Sequence, residues 1–366
     1  MPSDLLRKVR AILSRGEPFY LPAKLANLAL NRLERGLGLT RLASLPLGAD
    51  IVTTRRCNCR CIMCIGYTSR PPLEMPFALF NEIAASLFAT LLYVRFASGG
   101  EHFLHPHFRE MVAACRRYGC PVTIVSNGTR MDGGWPEFLV RESSVWSLII
   151  SFDGARPETF NAIRRGAQFN RVIGNVRQLA ETKRRLNSAF PVLSFRFVAM
   201  RRNIEELPDL VRLAAETGVE QVQVSYLTVS PDFDAEESLW HHKALAGRMF
   251  ESAGVVARQY GIDLRLPPAF APAHDEGGGS QAAPVCLLPW TQLYIDPSGA
   301  LRLCCNAWDD FAPLGEFSAA DFRRVWNNPR YVAMRASLLR GRPLYARCRN
   351  CPALARDPSE KRMHFL

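Results

Sequence analysis

Four cysteines fall in one short run, Cys57-Asn58-Cys59-Arg60-Cys61-Ile62-Met63-Cys64. Thiolates are the usual ligands of iron–sulfur clusters, and four of them saturate a [4Fe–4S] cube. Cys57, Cys61 and Cys64 are spaced Cys-x3-Cys-x2-Cys. Three ligands leave one iron open to a ligand that is not protein, as a catalytic metal site keeps a position free. The alternative is a zinc site that also uses Cys59. Cys57, Cys59 and Cys61 are crowded for tetrahedral zinc, whose usual signature is paired Cys-x2-Cys knuckles.

Three further runs have residue types that suit a small polar ligand. Ser98-Gly99-Gly100-Glu101 offers a backbone free of Cβ atoms and a carboxylate that can accept from a cationic amine. Ser126-Asn127-Gly128 reads otherwise as an ordinary turn. Ser151-Phe152-Asp153-Gly154, followed by Ile163-Arg164-Arg165-Gly166, adds a hydroxyl and a guanidinium able to pair with a carboxylate. His105 and His107 read as helix-start residues rather than ligands.

A second set of cysteines lies late in the chain: Cys286, Cys304, Cys305, Cys348 and Cys351. Leu293–Ile295 and Ala300–Leu303 flank a Pro297-Ser298-Gly299 turn, which predicts a hairpin. Neighbouring strand residues point to opposite faces, so Cys304 and Cys305 cannot both be ligands of one cluster. Four of these thiols suit one more [4Fe–4S] cluster, or a zinc ribbon. Cys115 and Cys120 read as core residues.

Taken together these motifs resemble the radical S-adenosylmethionine (SAM) superfamily over residues 50 to 230, and the late cysteines resemble the SPASM/twitch auxiliary-cluster domains. The resemblance implies that Cys57, Cys61 and Cys64 hold the SAM-binding cluster. Gly99, Gly100 and Glu101 then meet the SAM amine, Ser126 and Ser151 the ribose, and Arg164 the carboxylate. The family commonly has an aromatic where Met63 stands, and often a proline where His102 stands. The Gly299-x4-Cys304 spacing favours Cys304 over Cys305, so Cys286, Cys304, Cys348 and Cys351 are the implied ligands of one auxiliary cluster. The implied chemistry is cleavage of SAM to a 5′-deoxyadenosyl radical that abstracts hydrogen from substrate. An external donor of flavodoxin or ferredoxin type would feed it electrons.

These residues need elements to position them. Apolar or β-branched runs at 51–54, 92–97, 122–126, 148–152, 193–200 and 222–227 alternate with helical patterns at 78–91, 108–118, 172–185 and 204–217. Such alternation predicts an α/β fold with parallel strands, and the resemblance makes it a partial (β/α)6 TIM-like barrel. Ligands of such folds sit at the carboxyl ends of the strands, where the motifs fall. The expected organisation is a helical extension over 1–48, a radical SAM core over 49–266, a Pro/Gly-rich linker over 267–284 and a cysteine-rich auxiliary domain over 285–366. In the extension, Leu21, Leu25, Leu28 and Leu33 predict an apolar face packed on the core, an interfacial anchor being the alternative.

The chain has 366 residues, 48% hydrophobic, and a net charge of +12 carried mostly by arginine. Met1–Arg15 lacks the apolar core of a signal peptide, and no stretch is apolar enough for a transmembrane segment. A cytoplasmic, reducing location follows, in which eleven cysteines read as cluster ligands rather than disulfides. No nucleic-acid module accompanies the charge. The substrate is read as a small sugar or aminocyclitol-type molecule undergoing net oxidation, because no leader-recognition domain is evident and arginines suit a phosphorylated ligand. Radical modification of a peptide or protein is the second reading. A zinc-bound nucleic-acid scaffold is the third.

Overall fold

The computed structural model describes residues 18–64, 71–227, 235–268, 270, 285–304, 313–345 and 348. Cys305, Cys351 and most of the linker lie outside the described residues.

The strands are β1 (Gly48–Ile51), β2 (Tyr93–Phe96), β3 (Val122–Ser126), β4 (Val145–Ser151), β5 (Val192–Ala199), β6 (Gln221–Tyr226), β7 (Asp263–Arg265), β8 (Gln292–Ile295), β9 (Ala300–Arg302) and β10 (Gly315–Glu316). They form one sheet in the order β10-β9-β8-β1-β2-β3-β4-β5-β6-β7. Every pair from β8 through β1 to β7 is parallel, and β8–β9 and β9–β10 are antiparallel. The expected six-stranded core is present, with β7 added beyond β6 and the predicted hairpin added beyond β1. That hairpin is continuous with the core sheet, because β8 pairs with β1 along its whole length from Gly48↔Gln292 to Ile51↔Ile295.

Strand residues alternate between two environments. In β5, Leu193, Phe195, Phe197 and Ala199 are buried. They belong to the hydrophobic core shared with the helices Phe169–Arg185 and Leu207–Thr217. The other parity carries polar groups. Ser151 of β4 is in register with Arg196 of β5, and Arg196 with Gln223 of β6. The Arg196 guanidinium donates to Gln223 Oε1 at 2.9 Å. This row lines the lumen, the opposite side from the helices.

The N-terminal helix α1 (Leu21–Gly36) packs on the core, but with the face opposite to the one its leucines predict. Lys24, Asn27, Asn31 and Glu34 are buried, and Leu25, Leu30 and Leu33 are exposed. The physical reason is what α1 covers. It lies over the loops where strands begin, and their backbone groups need partners. Lys24 Nζ donates to the carbonyls of Phe88, at 2.7 Å, and of Leu91. Asn27 exchanges hydrogen bonds with Leu45, and Asn31 Nδ2 donates to Trp290 O at 2.7 Å. Glu34 accepts from the amides of Ala43 and Ser44.

Candidate functional site

The first cysteine run leaves the carboxyl end of β1 and is held from both sides. Arg60 N donates to Arg165 O at 2.7 Å, and Ile62 N to Ile163 O at 3.1 Å. Gly166 passes over the run at φ +97°, and a Cβ there would lie 2.6 Å from Asn58 O. Only glycine fits that crossing. Cys57 and Cys61 are half-buried, Cys64 is exposed, and Cys59 is 1% exposed. None of the nine described cysteines is in a disulfide. The Cys59 thiol donates toward the sulfurs of Cys57 and Cys61. It thereby lowers Cys57 to about 6 and Cys61 to about 7, while its own pKa is raised by those same hydrogen bonds. Two thiols favoured as thiolates beside an exposed third fit the donor set of a three-cysteine cluster. Among the described residues no three His, Cys, Asp or Glu side chains converge on a single-ion position. A cube makes no such demand, since each thiolate binds its own iron.

The Gly99-Gly100 turn follows β2 and lies against the backbone leading into Cys57. Gly100 N donates to Thr54 O, and Glu101 N to Arg56 O, both at 2.8 Å. A Cβ on Gly100 would stand 2.0 Å from Arg56 O. Gly100→Ala is therefore expected to displace the Arg55–Arg56 segment feeding the cysteine run. The expected cost is about 1–3 kcal/mol of stability in denaturant titration, together with a lower iron content after reconstitution.

Glu101 is not an open acceptor. It is buried, Oε1 accepting from Ser126 Oγ at 2.9 Å and from Phe103 N at 3.3 Å, and Oε2 from Asn127 N at 2.7 Å. Its carboxylate ties the β2 loop to the β3 loop, and only Oε2 keeps spare acceptor capacity. Burial raises its pKa to about 7. The folded protein thus holds a proton there that the unfolded chain, with a carboxyl near ~4.3, has lost. Unfolding releases that proton, so this group's stabilising contribution is complete at low pH and is lost as pH rises through about 7. Melting of wild type between pH ~5 and ~8 should fall relative to Glu101→Gln, whose profile lacks this component. Parallel profiles would show that Glu101 stays ionised.

Ser126 shares the strand face of Val122 and Ile124, which is the helix-facing side of β3. Its hydroxyl is bound to Glu101 and accepts from Gly128 N at 3.0 Å. In this structure it holds the turn rather than facing the lumen. The neighbour that reaches the cysteines is Asn127. Its amide donates to Asn58 Oδ1 at 2.8 Å and lies 3.3 Å from Cys59 Sγ and 3.9 Å from Cys57 Sγ. Asn58 and Asn127 went unassigned in the sequence, although Asn127 stands inside the Ser-Asn-Gly run. Their role needs the β3 loop to be seen beside the cysteine run.

Ser151 ends β4 on the lumen face, half-buried. Arg164 directly follows the helix Pro157–Ile163 and is already engaged. Its Nε donates to Asp153 Oδ2, and its Nη1 lies 3.6 Å from Cys61 Sγ. Asp153 is fully buried and also accepts from Val198 N at 2.6 Å. Arg164 is thus fixed at the cysteine run by a buried carboxylate. His105 is buried, with Nε2 3.0 Å from Met75 O, and His107 stacks on Phe77 with ring centroids 5.0 Å apart.

In the second set, Cys286, Cys304 and Cys348 are half-buried against the core, and Cys351 lies outside the described residues. The hairpin turn sits at the end of the sheet where the Cys57 run leaves β1, while β9 leads Cys304 back the other way. Asp296, at the hairpin turn, links the two regions. Its Oδ2 accepts from Arg302 at 2.9 Å and from Arg55 at 3.3 Å.

The chain is similar to known proteins over both its early and its late cysteine-bearing parts. The family described as the radical SAM superfamily matches residues 51–214. The family described as an iron–sulfur cluster-binding domain, SPASM, matches residues 286–352. The subtilosin biosynthesis protein AlbA of Bacillus subtilis is 23% identical over 78% of this chain and 60% of its own length. The PqqA peptide cyclase of Gluconobacter oxydans is 24% identical over 86% of this chain and 85% of its own. A cofactor-modifying protein of a tungsten-containing aldehyde ferredoxin oxidoreductase, from Pyrococcus furiosus, is 28% identical over 48% of this chain. The chain spans about half of that protein's length. Among solved structures, Streptococcus suis SuiB bound to S-adenosylmethionine superposes with a TM-score of 0.65 at 16% identity, covering 89% of this chain and 81% of that one. SuiB bound to its precursor peptide SuiA gives 0.62 at 14% identity, covering 85% of this chain and 71% of that one.

Proposed function

Because the chain belongs to the radical SAM superfamily and carries a SPASM iron–sulfur domain, we propose that it modifies a peptide or protein by hydrogen abstraction. In this reading Cys57, Cys61 and Cys64 hold the SAM-binding cluster and Cys286, Cys304, Cys348 and Cys351 an auxiliary one. The observation that carries the reading is the convergence of the Gly99-Gly100 turn, Asn127 and Arg164 on the Cys57–Cys64 run at the carboxyl end of β1. Bound there, the cluster and SAM supply an electron and a 5′-deoxyadenosyl radical.

The chain's own residues position and shield. Arg164, braced by Asp153, puts a fixed cation beside Cys61. Asn127 and Asn58 lock the cysteine run to β3. Ser151, Arg196 and Gln223 offer a polar row in the lumen for SAM and the reacting part of a substrate.

The names of the relatives support a peptide over the sugar or aminocyclitol favoured by composition: a bacteriocin biosynthesis protein, a peptide cyclase and mycofactocin maturases. The zinc scaffold reading has no support from either family match. The test is anaerobic reconstitution with SAM and a chemical reductant, adding either a panel of short peptides, with any encoded beside the gene among them, or a panel of sugar phosphates and aminocyclitols. Mass spectrometry should find 5′-deoxyadenosine rising with a peptide, and that peptide altered. Stimulation by a sugar and by no peptide would reinstate the small-molecule reading.

A further inference from the structure

Helix α1 turns its polar side chains inward and its apolar ones outward. Leu25 is 52% exposed, Leu33 59% and Leu37, just beyond the helix end, 65%; Phe19, just before it, is 81% exposed. Single exposed leucines are ordinary, but an aligned apolar face is a docking surface. Ala26 and Ala29 lie exposed between them. The patch continues onto the C-terminal segment, where Leu339 lies against Gly38 and is 41% exposed.

The charges at this face have one sign. The only acid in α1 is Glu34, and it is buried, holding Ala43 and Ser44. The exposed charges at its edge are Arg32, Arg340 and Arg342, none with a carboxylate within ion-pair distance among the described residues. Residues 1–17 are also apolar and net basic in sequence, with Leu5, Leu6, Val9, Ile12 and Leu13 beside four bases and two acids, Asp4 and Glu17. The chain as a whole carries +12.

We propose that this face docks the protein on an anionic bilayer surface. An apolar stripe with a basic edge lies in the interface plane, the leucines below the headgroups and the arginines at them. A basic edge beside an apolar stripe complements an anionic lipid surface in both charge and polarity. Among the described residues no helix is long and apolar enough to cross a membrane, so the association is peripheral. Its place in the fold is suited to this, because α1 covers the strand-start loops and leaves the opposite end, with the Cys57 run, open to substrate.

The test is sedimentation of the reconstituted full chain with phosphatidylcholine vesicles and with vesicles that also contain phosphatidylglycerol. Binding should require phosphatidylglycerol and weaken with salt. Leu33→Ser with Leu37→Ser should lower partitioning by roughly tenfold or more. Arg340→Ser with Arg342→Ser should lower it by about fivefold per arginine. Both pairs should keep the wild-type melting temperature and SAM cleavage, since they are remote from the cysteine run. The proposal is overturned if the full chain ignores phosphatidylglycerol vesicles. It is also overturned if the leucine variants bind as wild type while removal of residues 2–17 abolishes binding. A concentration-dependent dimer dispersed by Leu33→Ser would overturn it too, giving the face to a second copy of the chain.

Discussion

Protein in which Cys57, Cys61 and Cys64 are all replaced by alanine is expected to form no 5′-deoxyadenosine from SAM, and to hold roughly four irons where wild type holds roughly eight. The structure separates these three thiols from the fourth of the run. Cys57, Cys61 and Cys64 are half-buried or exposed, whereas Cys59 is buried and hydrogen-bonded to Asn127. Cys59→Ala is accordingly expected to keep the iron and the cleavage, with some loss of stability from a small cavity. Iron analysis and anaerobic product assay decide the matter. Cleavage surviving the triple change would defeat the ligand assignment, and cleavage lost in Cys59→Ala would place Cys59 among the ligands.

Replacing Cys286 and Cys348 together should leave SAM cleavage measurable, slow and uncoupled, while modified product disappears. With the four cysteine ligands proposed above, a second cluster would have no open iron, and its use would be to carry an electron rather than to bind substrate. Hydrogen abstraction leaves a substrate radical, and loss of a further electron and a proton completes a net two-electron oxidation or crosslink. That requires a one-electron acceptor, which an oxidised cluster held by these thiolates would supply. Product formed at the wild-type rate by the double variant would remove the relay role. Zinc found in place of iron at this site would do the same, because zinc has no redox chemistry.

Much of the fold was legible because strands buried on their helix-facing side write themselves into sequence as short runs rich in apolar and β-branched residues. β3 is observed where its run predicts, at Val122–Ser126, and β5 and β6 lie within a residue or two of theirs. β1 was placed three residues late, since Gly48-Ala49-Asp50 carries no β-branched signal and is a strand through its pairing with β2 and β8. β7 escaped notice for the same reason: three residues, two of them charged, held at the sheet edge by β6.

At the site, residue type and spacing singled out the cysteine run and, more weakly, the Gly99-Gly100 turn, because thiolates and bare backbone have few other uses together; Ser151 and Arg164 came from the family resemblance. Which way each side chain turns was decided by tertiary structure. Ser126 and Glu101 satisfy each other because both are buried, and buried polar groups must pair. Asp153 took Arg164, and Asn127 gained its place from contact with a run some seventy residues earlier. The N-terminal helix shows the limit most plainly. Its pattern said only that it has an apolar and a polar face. The strand-start loops beneath it present bare carbonyls and amides, so the polar face went inward and the leucines were left outside.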